Sequence, residues 1–185
     1  MNINWVFADS TVLDPMADIT TMKEIGPMWG SWRTWRGCQS DNVICHNLQK
    51  SQDLIKRDFQ NICNFFIPNE QFVLLGRPEN VKLYEGKFVE ESDQSDEIVA
   101  MHLVAGISDI VLLVGFNWTE QIKTGDKLVD HQRHVYRTLV KLAIENNPNV
   151  QWVLVDHPDP VMKILENLEN LSVDTMDNVL SLLDS

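Results

Sequence analysis

The stretch DIVLLVGFNW, Asp109 to Trp118, sets a run of apolar, β-rich residues directly ahead of a polar cluster. Ile110 to Val114 show no polar alternation, so the strand they predict is buried on both faces, as in a parallel sheet covered by helices. The design recurs along the chain. WVFADST from Trp5, FVLLGRP from Phe72 and QWVLVDHP from Gln151 each end an apolar run on polar residues, and NVICHN from Asn42 is a shorter variant. In open α/β sheets ligands bind in the crevice outside the carboxyl ends of the strands, where these polar clusters would fall.

The intervening segments read as helices and turns. Asp14 and Pro15 break the chain after the first strand, and a Trp-rich helix or turn leads to the strand from Asn42 to His46. Leu48, Ile55, Phe59, Ile62, Cys63 and Phe66 recur at helical spacing, which predicts one long helix closed by Pro68 ahead of a strand at Phe72. A small hairpin is expected from Val81 to Val89. Ser95 can cap a helix carrying Ile98, Met101, His102 and Ala105, and another helix spans Asp126 to Asn146. A further helix holds Val161, Ile164, Leu165 and Leu168, followed by a short strand from Leu171 to Val173 and a helix with Met176, Val179, Leu180 and Leu183. This alternation predicts a single Rossmann-like, three-layer α/β domain over residues 1–185. Its sheet should be mostly parallel, of about five or six strands, with helices on both faces.

Composition narrows the function classes. The 27 acidic against 15 basic side chains give a formal charge of −12, which would repel a phosphate backbone, so duplex nucleic acid is not an expected partner. Cys38, Cys45 and Cys63 form no CxxC pair and suggest neither a disulfide framework nor a zinc knuckle. No apolar run approaches the roughly 18 residues of a membrane span, and MNINWVFADS lacks the basic start of a signal peptide. A soluble protein of the reducing cytoplasm, with no membrane contact, is the expectation.

Several chemistries are absent. No GxGxxG and no GxxxxGK[ST] is present, so a phosphate would have to be held by side chains or a bare helix N-terminus. WVFADSTVLD resembles the opening motif of haloacid dehalogenase-like phosphatases, but Phe7 stands at their nucleophile position and the covalent step of that family could not run. His131 and His134, with Asp126 and Asp130, have a helical spacing that can hold a metal, yet no HExxH accompanies them and no metal is assigned. No cofactor is assigned either. Cys45 and His46 are adjacent on a strand and so point to opposite faces, which argues against a nucleophilic pair.

Candidate ligand contacts come from the polar clusters and from GPMWGSWRTWRGCQSDN, where Trp29, Trp32 and Trp35 recur every third residue beside Arg33 and Arg36. Either indoles there stack on a base or sugar while a guanidinium meets phosphate or carboxylate, or three large side chains fill the core. Arg77, Asn117 with Trp118, and Asp156 with His157 each fall past an expected strand, and Asp9 with Ser10 follow the first one. Any of these can instead cap a helix. Asp9 and Asp156 are suited to accept ribose or sugar hydroxyls, and Asp9 and His157 are the candidates for catalysis if there is turnover.

WGSWRTWRGCQSDNVICH, DIVLLVGFNW and NVQWVLVDHP together resemble small uncharacterised α/β proteins of large tailed bacteriophages. The resemblance implies a host-cytoplasm setting and a role in nucleotide metabolism, host takeover or counter-defence, and it assigns no catalytic residue. Two functions are then expected. The first is binding, with or without turnover, of a small anionic ligand such as a nucleotide or nucleotide-sugar at the carboxyl edge of the sheet. The alternative is an interaction protein that meets a host protein through an acidic surface at Glu90, Glu91, Asp93 and Asp96, or forms a homodimer through aromatics such as Phe65, Phe66 and Phe88.

Overall fold

The computed structural model describes residues 1–8, 19–85, 95–116, 127–156, 165 and 167–181. Its strands are β1 (Ile3–Phe7), β2 (Met28–Ser31), β3 (Asn42–Ile44), β4 (Asn64–Pro68), β5 (Val81–Tyr84), β6 (Ile110–Val114), β7 (Gln151–Val155) and β8 (Leu171–Asp174). The helices are α1 (Ile19–Ile25), α2 (Trp32–Cys38), α3 (Leu48–Ile55), α4 (Asn69–Leu74), α5 (Asp96–Ala105), α6 (Lys127–Glu145) and α7 (Met176–Ser181), with a 3₁₀ turn at Phe59–Asn61. All eight strands form one sheet in the order β5-β4-β3-β2-β1-β6-β7-β8. Every pairing is parallel.

The chain starts at the centre of the sheet, winds outward to β5, and returns through α5 to begin again on the other side of β1. Winding direction therefore reverses between β1 and β6, which pair in register from Ile3↔Ile110 to Phe7↔Val114. That boundary is the topological switch point, where open α/β sheets form their ligand crevice.

Alternation along the strands divides the core into layers. Trp5, Phe7, Met28, Leu112 and Val114 pack with Met22 of α1 and Val179 of α7. Val6, Trp29, Ile44, Val111 and Leu113 face the other way, against Ile98, Met101 and Val104 of α5 and Val140 and Ala143 of α6. Val43, Phe65 and Ile67 extend the first face beneath Leu54 and Phe59. Two core indoles satisfy their N–H groups internally: Trp5 Nε1 donates to the Met22 carbonyl at 2.8 Å and Trp29 Nε1 to Asn4 Oδ1 at 3.0 Å. Asp96 through Met101 are all buried, so α5 is an interior helix lying across β1, β2 and β3. The result is the expected three-layer α/β architecture.

Some local expectations are corrected. Phe72–Leu75 is no strand: α4 and the turn after it occupy this run, with Val73 64% and Leu74 69% exposed. The long helix expected from Leu48 stops at Ile55, and Asp58 takes a left-handed φ of 56° before the chain enters β4. Val81–Tyr84 pairs parallel with β4 as the last strand of the sheet, and the remainder of the hairpin expected as far as Val89 lies outside the described residues. Met28–Ser31 forms β2 inside the Trp-rich segment, so β2 and β4 bring the sheet beyond the expected strand number. Phe65 is fully buried, which removes it from any interface; Phe66 is partly buried against the core, and Phe88 lies outside the described residues. Most of the helix expected from Val161 to Leu168 also lies outside them. Among the described residues, no helix is long and apolar enough to cross a membrane.

Candidate functional site

At the carboxyl ends of β2 and β3 the chain turns straight into helices, and two capping side chains fix how it does so. Ser31 Oγ accepts from the backbone N–H groups of Arg33 at 3.0 Å and Thr34 at 3.3 Å. Asn47 Oδ1 accepts from the backbone N–H of Lys50 at 2.9 Å. Such caps satisfy helix-end donors that would otherwise lack partners. They also place Trp32 and Arg33 in the first turn of α2 and Lys50 in the first turn of α3. The Lys50 ammonium lies 3.9 Å from the centroid of the Trp32 ring and the Arg33 guanidinium carbon 5.5 Å from it. Both fall within the about 6 Å range of cation–π attraction. A half-buried indole flanked by two cations thus stands at the carboxyl edge of a protein whose net charge is −12.

Beside it, β3 sends consecutive residues to opposite faces. Cys45 enters the cluster with Val43, Phe65 and Ile67. Burial, reinforced by the charge of Asp96, pushes its thiol pKa up to about 12, so it is no thiolate near neutral pH. His46 faces α5. Its Nδ1 is 2.7 Å from Asp96 Oδ1, and the same oxygen accepts the His46 backbone N–H at 2.9 Å. The Asp96 side chain is 9% exposed and that of His46 32%.

Further polar groups surround the pair. Gln71 Nε2, from α4, donates to the His46 carbonyl. The Tyr84 hydroxyl at the end of β5 is buried without a hydrogen-bond partner, as are Gln71 Oε1 and Ser95 Oγ. Burial first, then the charges of Asp96, Cys45 and Glu70, raise the Tyr84 pKa, so the phenol stays protonated. Ser95 occupies the N-cap position of α5 but makes no side-chain capping bond, contrary to the role its sequence position suggests.

The chain matches no family model, no curated protein and no solved structure. Chemistry at this edge therefore rests on its own geometry.

Of the residues singled out in sequence, Trp32 and Arg33 come together at this edge. Arg36 lies on α2, with its side chain outside the described residues. The other two tryptophans of the segment belong to the core: Trp29 is 6% exposed, and Trp35 meets Phe59 edge-on at 5.0 Å. Arg77 does not follow a strand; it sits exposed after α4 with φ 55° and precedes β5, at the amino edge. Asp156 follows β7 at the carboxyl edge, where its Oδ1 accepts the Met176 backbone N–H at 2.8 Å and caps α7. Asp9, Ser10, Asn117, Trp118 and His157 lie outside the described residues; in sequence they follow Ala8, Phe116 and Asp156.

The acidic surface expected at Glu90, Glu91, Asp93 and Asp96 is corrected at its last member, because Asp96 is 7% exposed and bonded to His46. The other three lie outside the described residues. His131 and His134 are exposed on α6, and among the described residues no cluster of three His, Cys, Asp or Glu side chains could hold a metal. His102 is half-buried on α5, and desolvation lowers its pKa.

In sequence Lys50 carries no assigned role, His46 is weighed only as a partner of Cys45, and Asp96 is given only to an acidic surface. Strand alternation offered a signal, since it turns His46 away from Cys45, but its partner stands 50 residues later at a helix start. At the opposite, amino edge a cavity of about 490 Å³ is lined by Lys23, Trp35, Gln39, Ser40, Asp41, Asn61, Ile62, Cys63 and Asn64. Its cation is engaged: Lys23 Nζ lies 3.1 Å from Asp41 Oδ1.

Proposed function

We propose that this protein binds a small anionic ligand, a nucleotide or nucleotide-sugar, at the carboxyl edge of its sheet. The observation that carries the reading is the Trp32 ring with Lys50 at 3.9 Å and Arg33 at 5.5 Å. The cations supply charge-assisted hydrogen bonds to a phosphate or carboxylate, and the indole supplies a flat apolar surface for a base or sugar. The switch point between β1 and β6 supports the same edge, because Asp9, Ser10, Asn117 and Trp118 follow those strands in sequence. Arg77 is left out of this site, since it precedes β5.

Isothermal titration with AMP, ADP and UDP-glucose at low salt tests the reading. A ligand that binds should lose at least about tenfold in affinity in the Arg33→Ala/Lys50→Ala double variant. Unchanged affinity would refute the contact.

A second reading, self-association, draws on another place. Leu83 of the edge strand β5 is 44% exposed, and an exposed edge strand can pair with a second copy. Light scattering that gives a dimer mass, reduced to the monomer by Leu83→Lys, would favour it.

A further inference from the structure

The cavity of about 490 Å³ at the amino edge of the sheet falls within the about 300–1,000 Å³ usual for small-molecule sites. Its walls are the turns that feed β3 and β4, residues 39–41 and 61–63, together with Asn64 at the start of β4, Lys23 of α1 and Trp35 of α2. The frame is braced by bonds that need no ligand. Asp41 Oδ2 accepts the Met28 backbone N–H at 3.0 Å, the Asp41 carbonyl accepts the Asn64 backbone N–H at 2.9 Å, and Oδ1 holds Lys23 Nζ at 3.1 Å. One residue thus ties α1 to the first residues of β2 and β4. Gln39, at the end of α2, takes φ 48°, a left-handed backbone uncommon outside glycine.

Several polar groups in these walls keep hydrogen-bonding capacity in reserve. Asn61 spends one end of its amide on Asn80 at 2.9 Å and Asn64 one end on Asn42 at 3.1 Å, so each retains the other. The Gln39 amide and the Trp35 indole N–H make no hydrogen bond among the described residues. Ser40 Oγ is buried with no partner beyond the Cys38 thiol, a weak acceptor that itself donates to the Thr34 carbonyl.

Charge selects the class of ligand. Lys23 and Asp41 are the charged groups of the lining and they sum to zero, so the cavity offers no net attraction to an anion or a cation. Cys63 adds no charge, because burial and then the neighbouring Asp41 push its thiol up to about 12. Amides, a hydroxyl and an indole N–H around a neutral ion pair suit a molecule whose own groups both donate and accept. The Trp35 ring, set edge-on to Phe59 at 5.0 Å, adds apolar surface.

We propose that this cavity is a second ligand site, taking a neutral saccharide of one or two sugar units, with Gln39, Asn61 and Asn64 meeting its hydroxyls and Trp35 its apolar face. The site is independent of the anion reading of the carboxyl edge and shares no residue with it.

The test is backbone amide shift mapping on ¹⁵N-labelled protein titrated separately with glucose, galactose, N-acetylglucosamine and maltose to about 20 mM, well above a millimolar Kd. Adenosine and inorganic phosphate are the competing chemistries. At least one sugar should move the amides of residues 39–41 and 61–64 and leave those of Trp32 and Lys50 in place. Its affinity should change less than about twofold between low and high salt, since no charge pair forms on binding. Gln39→Gly, which keeps the left-handed turn, combined with Asn61→Ala should weaken it at least about tenfold while the rest of the amide spectrum stays folded.

Movement of these amides by phosphate or adenosine and by no sugar would overturn the saccharide assignment, as would a steep loss of sugar affinity with salt. No response to any sugar, or an unchanged affinity in the double variant, would overturn the site itself. The carboxyl-edge reading stands or falls separately, on Arg33 and Lys50.

Discussion

Gly26 stands between α1 and β2, buried against the backbone of β1. A Cβ built there would lie 2.0 Å from the Ile3 carbonyl oxygen and 2.8 Å from its carbon. Ordinary contact begins at 3.4 Å, so Gly26→Ala must open more than an ångström against main chain, which no rotamer change can provide. The strand that would have to yield is the central one. β1 is hydrogen-bonded on both sides, pairing Trp5 with Met28 and Ile3 with Ile110. Overpacking a core typically costs about 1–3 kcal/mol, and with backbone as the obstacle we expect about 3 kcal/mol or more. The internal control is Gly37→Ala on α2, where nothing lies within 4 Å of the added methyl. An alanine in a helix is favoured over glycine by about 0.5–1 kcal/mol, so this variant should be stabilised. Urea denaturation of the two variants beside the wild type gives both values, and melting temperatures should separate by about 2–4 °C per kcal/mol for a chain of this size. A Gly26→Ala protein within 0.5 kcal/mol of wild type, about the usual range of a neutral surface change, would refute the close approach of the α1–β2 turn to β1.

Trp5 and Trp152 are both fully buried, but Trp5 Nε1 donates to Met22 while Trp152 Nε1 has no partner, so Trp5→Phe should cost about 1 kcal/mol more than Trp152→Phe in the same denaturation assay. Equal costs would contradict it. Burial raises the thiol pKa of Cys38 to about 11 and those of Cys45 and Cys63 to about 12, so iodoacetamide at pH 8 should modify the native protein at least about tenfold more slowly than the urea-unfolded chain. The same displacement sets a sign for stability. Above the ordinary thiol value of 9.0 the unfolded chain ionises while the folded one keeps its protons, so stability from these groups should fall as pH rises through 9 toward 12, and a flat urea midpoint across that window would count against it.

The central strands were legible because a parallel strand buried on both faces leaves a continuous apolar run, as at Trp5 to Phe7, Ile110 to Val114 and Trp152 to Val155. The same cue misled at Phe72–Leu75, where three apolar residues end a short helix and the fourth caps it, with Val73 and Leu74 in solvent. Short apolar runs do not distinguish strand from helix, and α4 has no buried residue to impose a helical period. Phe59, Ile62 and Phe66 do keep helical spacing, but the left-handed Asp58 and a 3₁₀ turn break the helix before β4, and neither carries a glycine or proline to announce it.

The site was legible in part for a related reason. Trp32 and Arg33 stood out by type, and Ser31 is a recognisable cap once β2 is known to end there. His46 and Asp96 were hidden because their meeting depends on α5 crossing back over β1 to β3, a long-range consequence of strand order. Arg77 was misplaced because its position was inferred from a strand that is a helix.

The most direct test of the carboxyl-edge account is backbone amide shift mapping during titration with ADP. The account predicts that the perturbed amides cluster at Trp32, Arg33, His46 and Lys50, with the amino edge unmoved. Perturbations confined instead to Lys23, Gln39, Asp41 and Cys63, around the cavity at the amino edge, would contradict it.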